Sequence, residues 1–165
     1  MIAMVALGAD TELLVGSSPV SVRRRAKWGE CDPAGVVYMV NYAEYVVSAY
    51  EMFMTVLFDE SLGKIKARHG IALPAKAFTI EFYGSLRPDD DFLMTVEVVD
   101  IRTKSFDVMV RGTSNGGDDV FVAKLTPIAV DPRDRSALPI PDTFARKLHS
   151  YRAECALKTT STEDP

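Results

Sequence analysis

The sequence predicts an α+β fold, a curved antiparallel sheet of about five strands wrapped around one long helix. Two observations carry that reading. Across residues 41–58 the apolar side chains Tyr42, Tyr45, Val46, Ala49, Phe53, Val56 and Leu57 recur at i, i+3, i+4 spacing, with Glu44, Ser48, Glu51 and Thr55 on the opposite side. Beyond Gly70 the period changes, and four apolar, β-rich runs follow one another with turn formers between them. At 165 residues the chain is most simply one domain, a size at which roughly 70% of the unfolded surface can be buried.

The elements follow in chain order. The stretch 1–14 is apolar, yet it lacks a basic leader and carries Asp10 and Glu12, so it reads as part of an extension, 1–19, and neither a signal peptide nor a membrane span. Gly16-Ser17-Ser18-Pro19 sets it apart from residues 20–27, a strand with a charged face. The long helix comes next, then a polar connection, 59–70, with room for a further helical turn. The β-rich runs are 72–83, 92–102, 105–113 and 120–130, broken at Arg87-Pro88-Asp89-Asp90-Asp91 and Asn115-Gly116-Gly117-Asp118. Short turns should pair consecutive strands antiparallel. Pro127 removes a ladder donor, which implies an edge position or a bulge. A helix starting near Asp142, a suitable N-cap, should run to about Ala156, leaving 157–165 as a disordered tail and 20–156 as the domain. Such a sheet leaves an unpaired edge that invites dimerisation.

Composition narrows the function classes. A net charge of −4 and a pI near 5.2 give no overall pull toward nucleic acid or anionic membranes. Arg23, Arg24, Arg25 and Lys27 alternate across both faces of a strand, which suits solvent or a neighbouring subunit better than a nucleic acid. Cys31 and Cys155 lack C-x-x-C spacing, and His69 and His149 stand apart, so neither a zinc site nor a disulfide framework is expected. Reduced thiols imply a cytoplasmic protein.

The segment W-G-E-C-D-P-A-G-V-V-Y-M-V-N-Y, residues 28–42, concentrates the chemistry. Asp32 precedes a Pro-Ala-Gly turn and lies close to the start of the long helix. Free N–H groups and the positive end of the helix dipole can polarise a carbonyl there. A carboxylate beside such donors supplies two parts of an acyl-transfer site. An Asp-Pro pair is also an ordinary Asx-turn or cap, and the two roles do not exclude each other. Asn41 is either the N-cap or a brace for the Asp32 turn. Tyr42 and Tyr45 lie on the apolar stripe as core or as pocket wall. Alternation turns Cys31 away from the face Asp32 uses.

The run G-E-C-D-P-A-G-V-V-Y-M-V-N-Y resembles the signature of the 4-hydroxybenzoyl-CoA thioesterase family of hot-dog-fold proteins, and the order of elements agrees from about Val20 to Tyr151. The resemblance implies hydrolysis of an acyl-CoA thioester. Asp32 would be nucleophile or general base, with the backbone amide of Met39 on the carbonyl oxygen. Gly35, Tyr38 and Tyr42 would lie against the acyl or pantetheine group. The junction Arg102-Thr103-Lys104-Ser105 is similar to the family's phosphate-binding turn, which assigns Arg102, Lys104 and Ser105 to coenzyme A. No cofactor is implied, coenzyme A being part of the substrate. A homodimer or homotetramer with the site at the subunit interface is expected. One departure is Val47, where family members that read a ring hydroxyl carry a polar side chain. This favours a plainer aromatic or medium-chain acyl group. A thioesterase acting on acyl-carrier protein and a non-catalytic acyl-CoA binding domain are the alternatives.

Overall fold

The amphipathic stretch forms α1, Met39–Phe58, beginning two residues before its periodicity becomes visible. In the computed structural model, which describes residues 11–160, the apolar stripe of α1 buries Tyr42, Tyr45, Val46, Ala49, Tyr50, Phe53, Met54 and Phe58. The helix stops where Asp59 turns left-handed, φ 56°. Two turns of α2, Leu62–His69, fill the polar connection and end at Gly70, also left-handed.

Six strands form one sheet: β1 Glu12–Ser17, β2 Val20–Arg25, β3 Ala75–Phe82, β4 Asp91–Ile101, β5 Phe106–Ser114 and β6 Asp119–Pro127. Their order is β1-β2-β4-β5-β6-β3, every pair antiparallel. Alternate residues point inward, among them Val20, Val22, Phe92, Met94, Val96, Phe106, Val108, Phe121 and Ala123, all fully buried around α1. Gly112 is required here, because a Cβ would stand 2.2 Å from the Phe121 ring. At the C-terminal end of α1, α3, Asp142–Thr160, inserts Phe144, Leu148 and Tyr151. The Tyr151 hydroxyl donates to the Val96 carbonyl and accepts the Val20 amide, joining α3 to two strands.

Three expectations change. Residues 12–17 are an edge strand rather than extension; Glu12 pairs with Arg24 and accepts a hydrogen bond from Ser48, which draws the segment onto β2 and α1. The remainder of that extension, 1–10, lies outside the described residues. β3 does not pair with β4. The connection 83–90 instead crosses the start of α1: Val37 donates to the Leu86 carbonyl at 2.8 Å, and the Leu86 amide donates to the Tyr42 hydroxyl at 3.2 Å. That path carries the chain from the far edge back to the middle of the sheet. Finally, α3 continues to Thr160, taking in the first part of the expected tail, whose last residues, 161–165, are not described. Pro127 behaves as its chemistry requires, ending β6 where the pairing with β3 shifts register.

Candidate active site

After β2 the chain makes a 3-10 turn, Trp28–Glu30, and Cys31 then bridges to Val37, closing a short loop around Asp32. Inside that loop the Asp32 amide donates to the Val36 carbonyl and the Gly35 amide donates to the Asp32 carbonyl, both at 2.9 Å. Gly35 has φ +79°, a left-handed conformation that a side chain would strain. The Ala34 amide donates to Asp32 Oδ1 at 2.8 Å, an Asx-turn. Asp32 is half-buried, and among the described residues Oδ2 meets no donor. One oxygen holds the turn; the other is available.

The helix start supplies the complementary donors. Tyr38 is the N-cap with no side-chain capping bond, so the first-turn amides depend on other acceptors. Tyr38 N–H donates to the Glu30 carbonyl and Asn41 N–H to the Tyr38 carbonyl, both at 2.9 Å. Among the described residues the amides of Met39 and Val40 have no acceptor outside the helix. Met39 is 64% exposed. Asn41 is a brace and not a cap, its Nδ2 donating to the Glu30 carbonyl at 2.6 Å.

Glu30 went unnoticed in the sequence. Its carboxylate accepts the Tyr45 hydroxyl at 2.6 Å, the Lys27 amide at 2.8 Å and Arg24 Nη2 at 2.6 Å. Burial pushes the carboxyl up, but the bonds from Tyr45, Lys27 and Arg24 together reverse this and hold it below its ordinary range. Arg24 also pairs with Glu12, and its guanidinium lies 4.3 Å from the centre of the Tyr45 ring. The available signal was an acid three residues after Lys27, at the end of a single turn.

The remaining candidates separate. Tyr38 is exposed at the site, whereas Tyr42 is 3% exposed, packed edge-on against Phe82 and Phe121. Its hydroxyl serves the Leu86 amide, so Tyr42 is core and leaves the set of candidate substrate contacts. Cys31 is half-buried beside the core, its thiol raised by burial and then by the surrounding acids, Glu30 first. Arg102 is engaged within its own hairpin. Its guanidinium grips Asp107 through both terminal nitrogens, reaches Asp100 at 2.6 Å and bonds the buried Ser105 hydroxyl at 3.1 Å. The Arg102 hydrogen bond, with a further one from Thr126, lowers the Asp107 carboxyl against the effect of burial. Lys104 is exposed and has no carboxylate partner among the described residues. This junction is also remote from Asp32 within one chain. β4 has 11 residues and so runs roughly 35 Å. Asp89 and Asp90, just before its start, touch Trp28 and Ala26, and Arg102 follows its far end.

A cleft of about 650 Å³ lies by Val56, Thr143, Lys147 and Glu154, and its lining does not include Asp32 or the first turn of α1. No group of three or more His, Cys, Asp or Glu is placed to hold a metal among the described residues. No helix among them is long and apolar enough to cross a membrane.

Residues 26–148, from the end of β2 into α3, match the Thioesterase-like superfamily. The chain belongs to that family. A curated relative, the 1,4-dihydroxy-2-naphthoyl-CoA hydrolase of Thermosynechococcus vestitus, is 26% identical over 134 residues, 81% of this chain and 91% of the relative. Two solved structures share the fold. The 4-hydroxybenzoyl-CoA thioesterase of Pseudomonas sp. strain CBS-3 has a TM-score of 0.67 at 23% identity, covering 77% of this chain and 96% of its own. A Staphylococcus aureus protein in complex with CoA has a TM-score of 0.75 at 15% identity, covering 89% of both chains. The Thioesterase-like region includes the whole Asp32 loop, α1 and the Arg102 junction, while β1 lies outside it.

Proposed function

We propose that this Thioesterase-like protein hydrolyses acyl-CoA thioesters to a carboxylic acid and coenzyme A, with Asp32 as nucleophile or general base. The observation that supports this most is the pairing of a carboxylate oxygen that meets no donor among the described residues with a helix start whose Met39 and Val40 amides meet no acceptor among them. The substrate carbonyl oxygen would accept the Met39 N–H, so that charge developing there in the tetrahedral state meets a fixed donor and the positive end of α1. Asp32 then either attacks the carbonyl carbon, giving an anhydride that water hydrolyses to the acid once the thiolate has gone, or takes a proton from the water that attacks directly. The C–S bond breaks and the thiolate leaves, taking up a proton.

The curated relative and the Pseudomonas enzyme are both named for hydroxylated aromatic acyl groups. Val47, 44% exposed on α1, offers such a hydroxyl no partner, which favours an aromatic or medium-chain acyl group without one at that point. Trp28, Tyr38 and Met39 give the surroundings apolar area on an open face, which a second protomer would enclose. Lys104 remains the candidate phosphate contact. Since Arg102 is already neutralised by two carboxylates, a carrier-protein-bound acyl group is the second reading, because that substrate needs few cations. Matched acyl-CoA and acyl-pantetheine substrates separate the two, the carrier reading requiring nearly equal kcat/KM.

Thiol release by purified Asp32→Asn tests the main reading. A folded variant should lose roughly 100-fold or more in kcat. Wild-type turnover would remove Asp32 from the chemistry.

A further inference from the structure

We infer that Glu30 is a positioning residue for Asp32, fixing the carboxylate relative to the helix amides; this rests on the thioesterase reading above. Asp32 and the Met39 amide belong to segments separated by the left-handed turn at Gly35. The Cys31–Val37 bridge and the Asp32 N–H bond to the Val36 carbonyl close the loop between them, and a further tie must anchor that closed loop to strand and helix. Glu30 does so from both its ends. Its carbonyl receives Tyr38 N–H and Asn41 Nδ2 from the first turn of α1, two residues before Asp32. Its carboxylate receives Tyr45 from the next turn of α1, Arg24 from β2 and the Lys27 amide from the start of the 3-10 turn. One side chain and one carbonyl thus gather strand, turn and helix.

The tie is built of buried parts. Arg24 is 8% exposed, and its flat guanidinium is held between two carboxylates and the Tyr45 ring. Tyr45 is fully buried, so its hydroxyl has little choice of acceptor. With three donors on its oxygens, the Glu30 carboxylate is committed to the scaffold and acts on the reaction only through the loop it holds. Displacing a reacting group by about 1 Å can cost on the order of 100-fold in rate.

Two variants probe the tie differently. Glu30→Gln keeps the shape and removes one of the two charges that hold Arg24, whereas Tyr45→Phe keeps the Glu30–Arg24 pair and deletes only the carboxylate's link to α1. Each should lower kcat by roughly 10- to 100-fold with KM changed by no more than about threefold, in protein that melts cooperatively. Combined with Asp32→Asn, Glu30→Gln should lower the residual rate no further, because positioning has no meaning once the positioned group is gone. An inactive Asp32→Asn beside unchanged kcat in both probes overturns the Glu30 assignment and leaves Asp32 standing. So does a further loss in the double variant, which would mark a general structural role. An active Asp32→Asn overturns the thioesterase mechanism and this inference with it.

Discussion

Asp32 and Gly35 were legible in the sequence because their chemistry is local: an acid before Pro-Ala-Gly makes the same Asx-turn wherever it occurs. Asn41 could not be settled, since its partner is a carbonyl 11 residues back and no local pattern encodes that distance. Glu30 and Tyr42 were obscured for the same reason, their partners lying on other elements. Tyr50 illustrates the opposite case, an apolar-stripe residue whose polar atom finds no partner. Its hydroxyl is buried without a hydrogen bond among the described residues, and burial raises its pKa well beyond the ordinary range. An unsatisfied buried hydroxyl costs on the order of 1–3 kcal/mol. Tyr50→Phe should therefore be neutral or stabilise by about 1 kcal/mol in chemical denaturation. A clear loss of stability would reveal a partner for that oxygen.

Element assignment followed period and turn chemistry, which is why α1, β4 and β5 were readable to within a residue or two, while β6 starts one residue early and stops at Pro127, three short of the expected 130. β1 was not, because Leu13-Leu14-Val15 shows neither helical nor alternating period, and its place on the sheet edge is fixed by Glu12 reaching Arg24 and Ser48. The position of β3 was equally hidden, being set by how the connection 83–90 crosses α1. At the β4–β5 hairpin, Arg102 resembled a phosphate ligand until its partners were known, yet Asp100 and Asp107 stood close in sequence on the two flanking strands. Arg102→Ala should cost about 1–3 kcal/mol, because it leaves the 8%-exposed Asp107 with Thr126 as its remaining hydrogen-bond donor. Lys104→Ala should instead raise KM for acyl-CoA with the melting midpoint unchanged. If Arg102→Ala raised KM and left stability alone, the phosphate role would return to Arg102. The same ion pairs set the acid limit. Glu30 and Asp107 are held below their ordinary values of 4.5 and 3.8, so the unfolded chain binds their protons more readily. Their contribution to stability is full above pH 4.5 and is lost as pH falls through the folded values. In denaturation between pH 7 and 3, Glu30→Gln should flatten this decline; an unchanged slope would show that Glu30 is not held low.

The sheet is incomplete at one side, and that matters for the whole protein. β3 is an edge strand exposed at nearly every position. Its inward-facing Phe78 and Phe82 remain 37% and 43% exposed, Phe82 even though Tyr42 of α1 packs against its ring. Met39, Val40 and Tyr83 are likewise exposed, an apolar surface that isolated soluble chains seldom leave open. Pairing two β3 edges antiparallel would satisfy the ladder and cover these rings. It would also reverse the partner sheet, so the partner's Lys104 end would point toward the Asp32 end of the first chain. The roughly 35 Å that separates these ends within one chain then ceases to be an obstacle. Phe78→Lys should place a charge at the centre of that contact without disturbing the buried core. The expected result is a folded monomer by sedimentation velocity with unchanged far-ultraviolet circular dichroism and thiol release at background. A wild-type protein that sediments as an active monomer would sink the shared site, as would a Phe78→Lys monomer with full turnover.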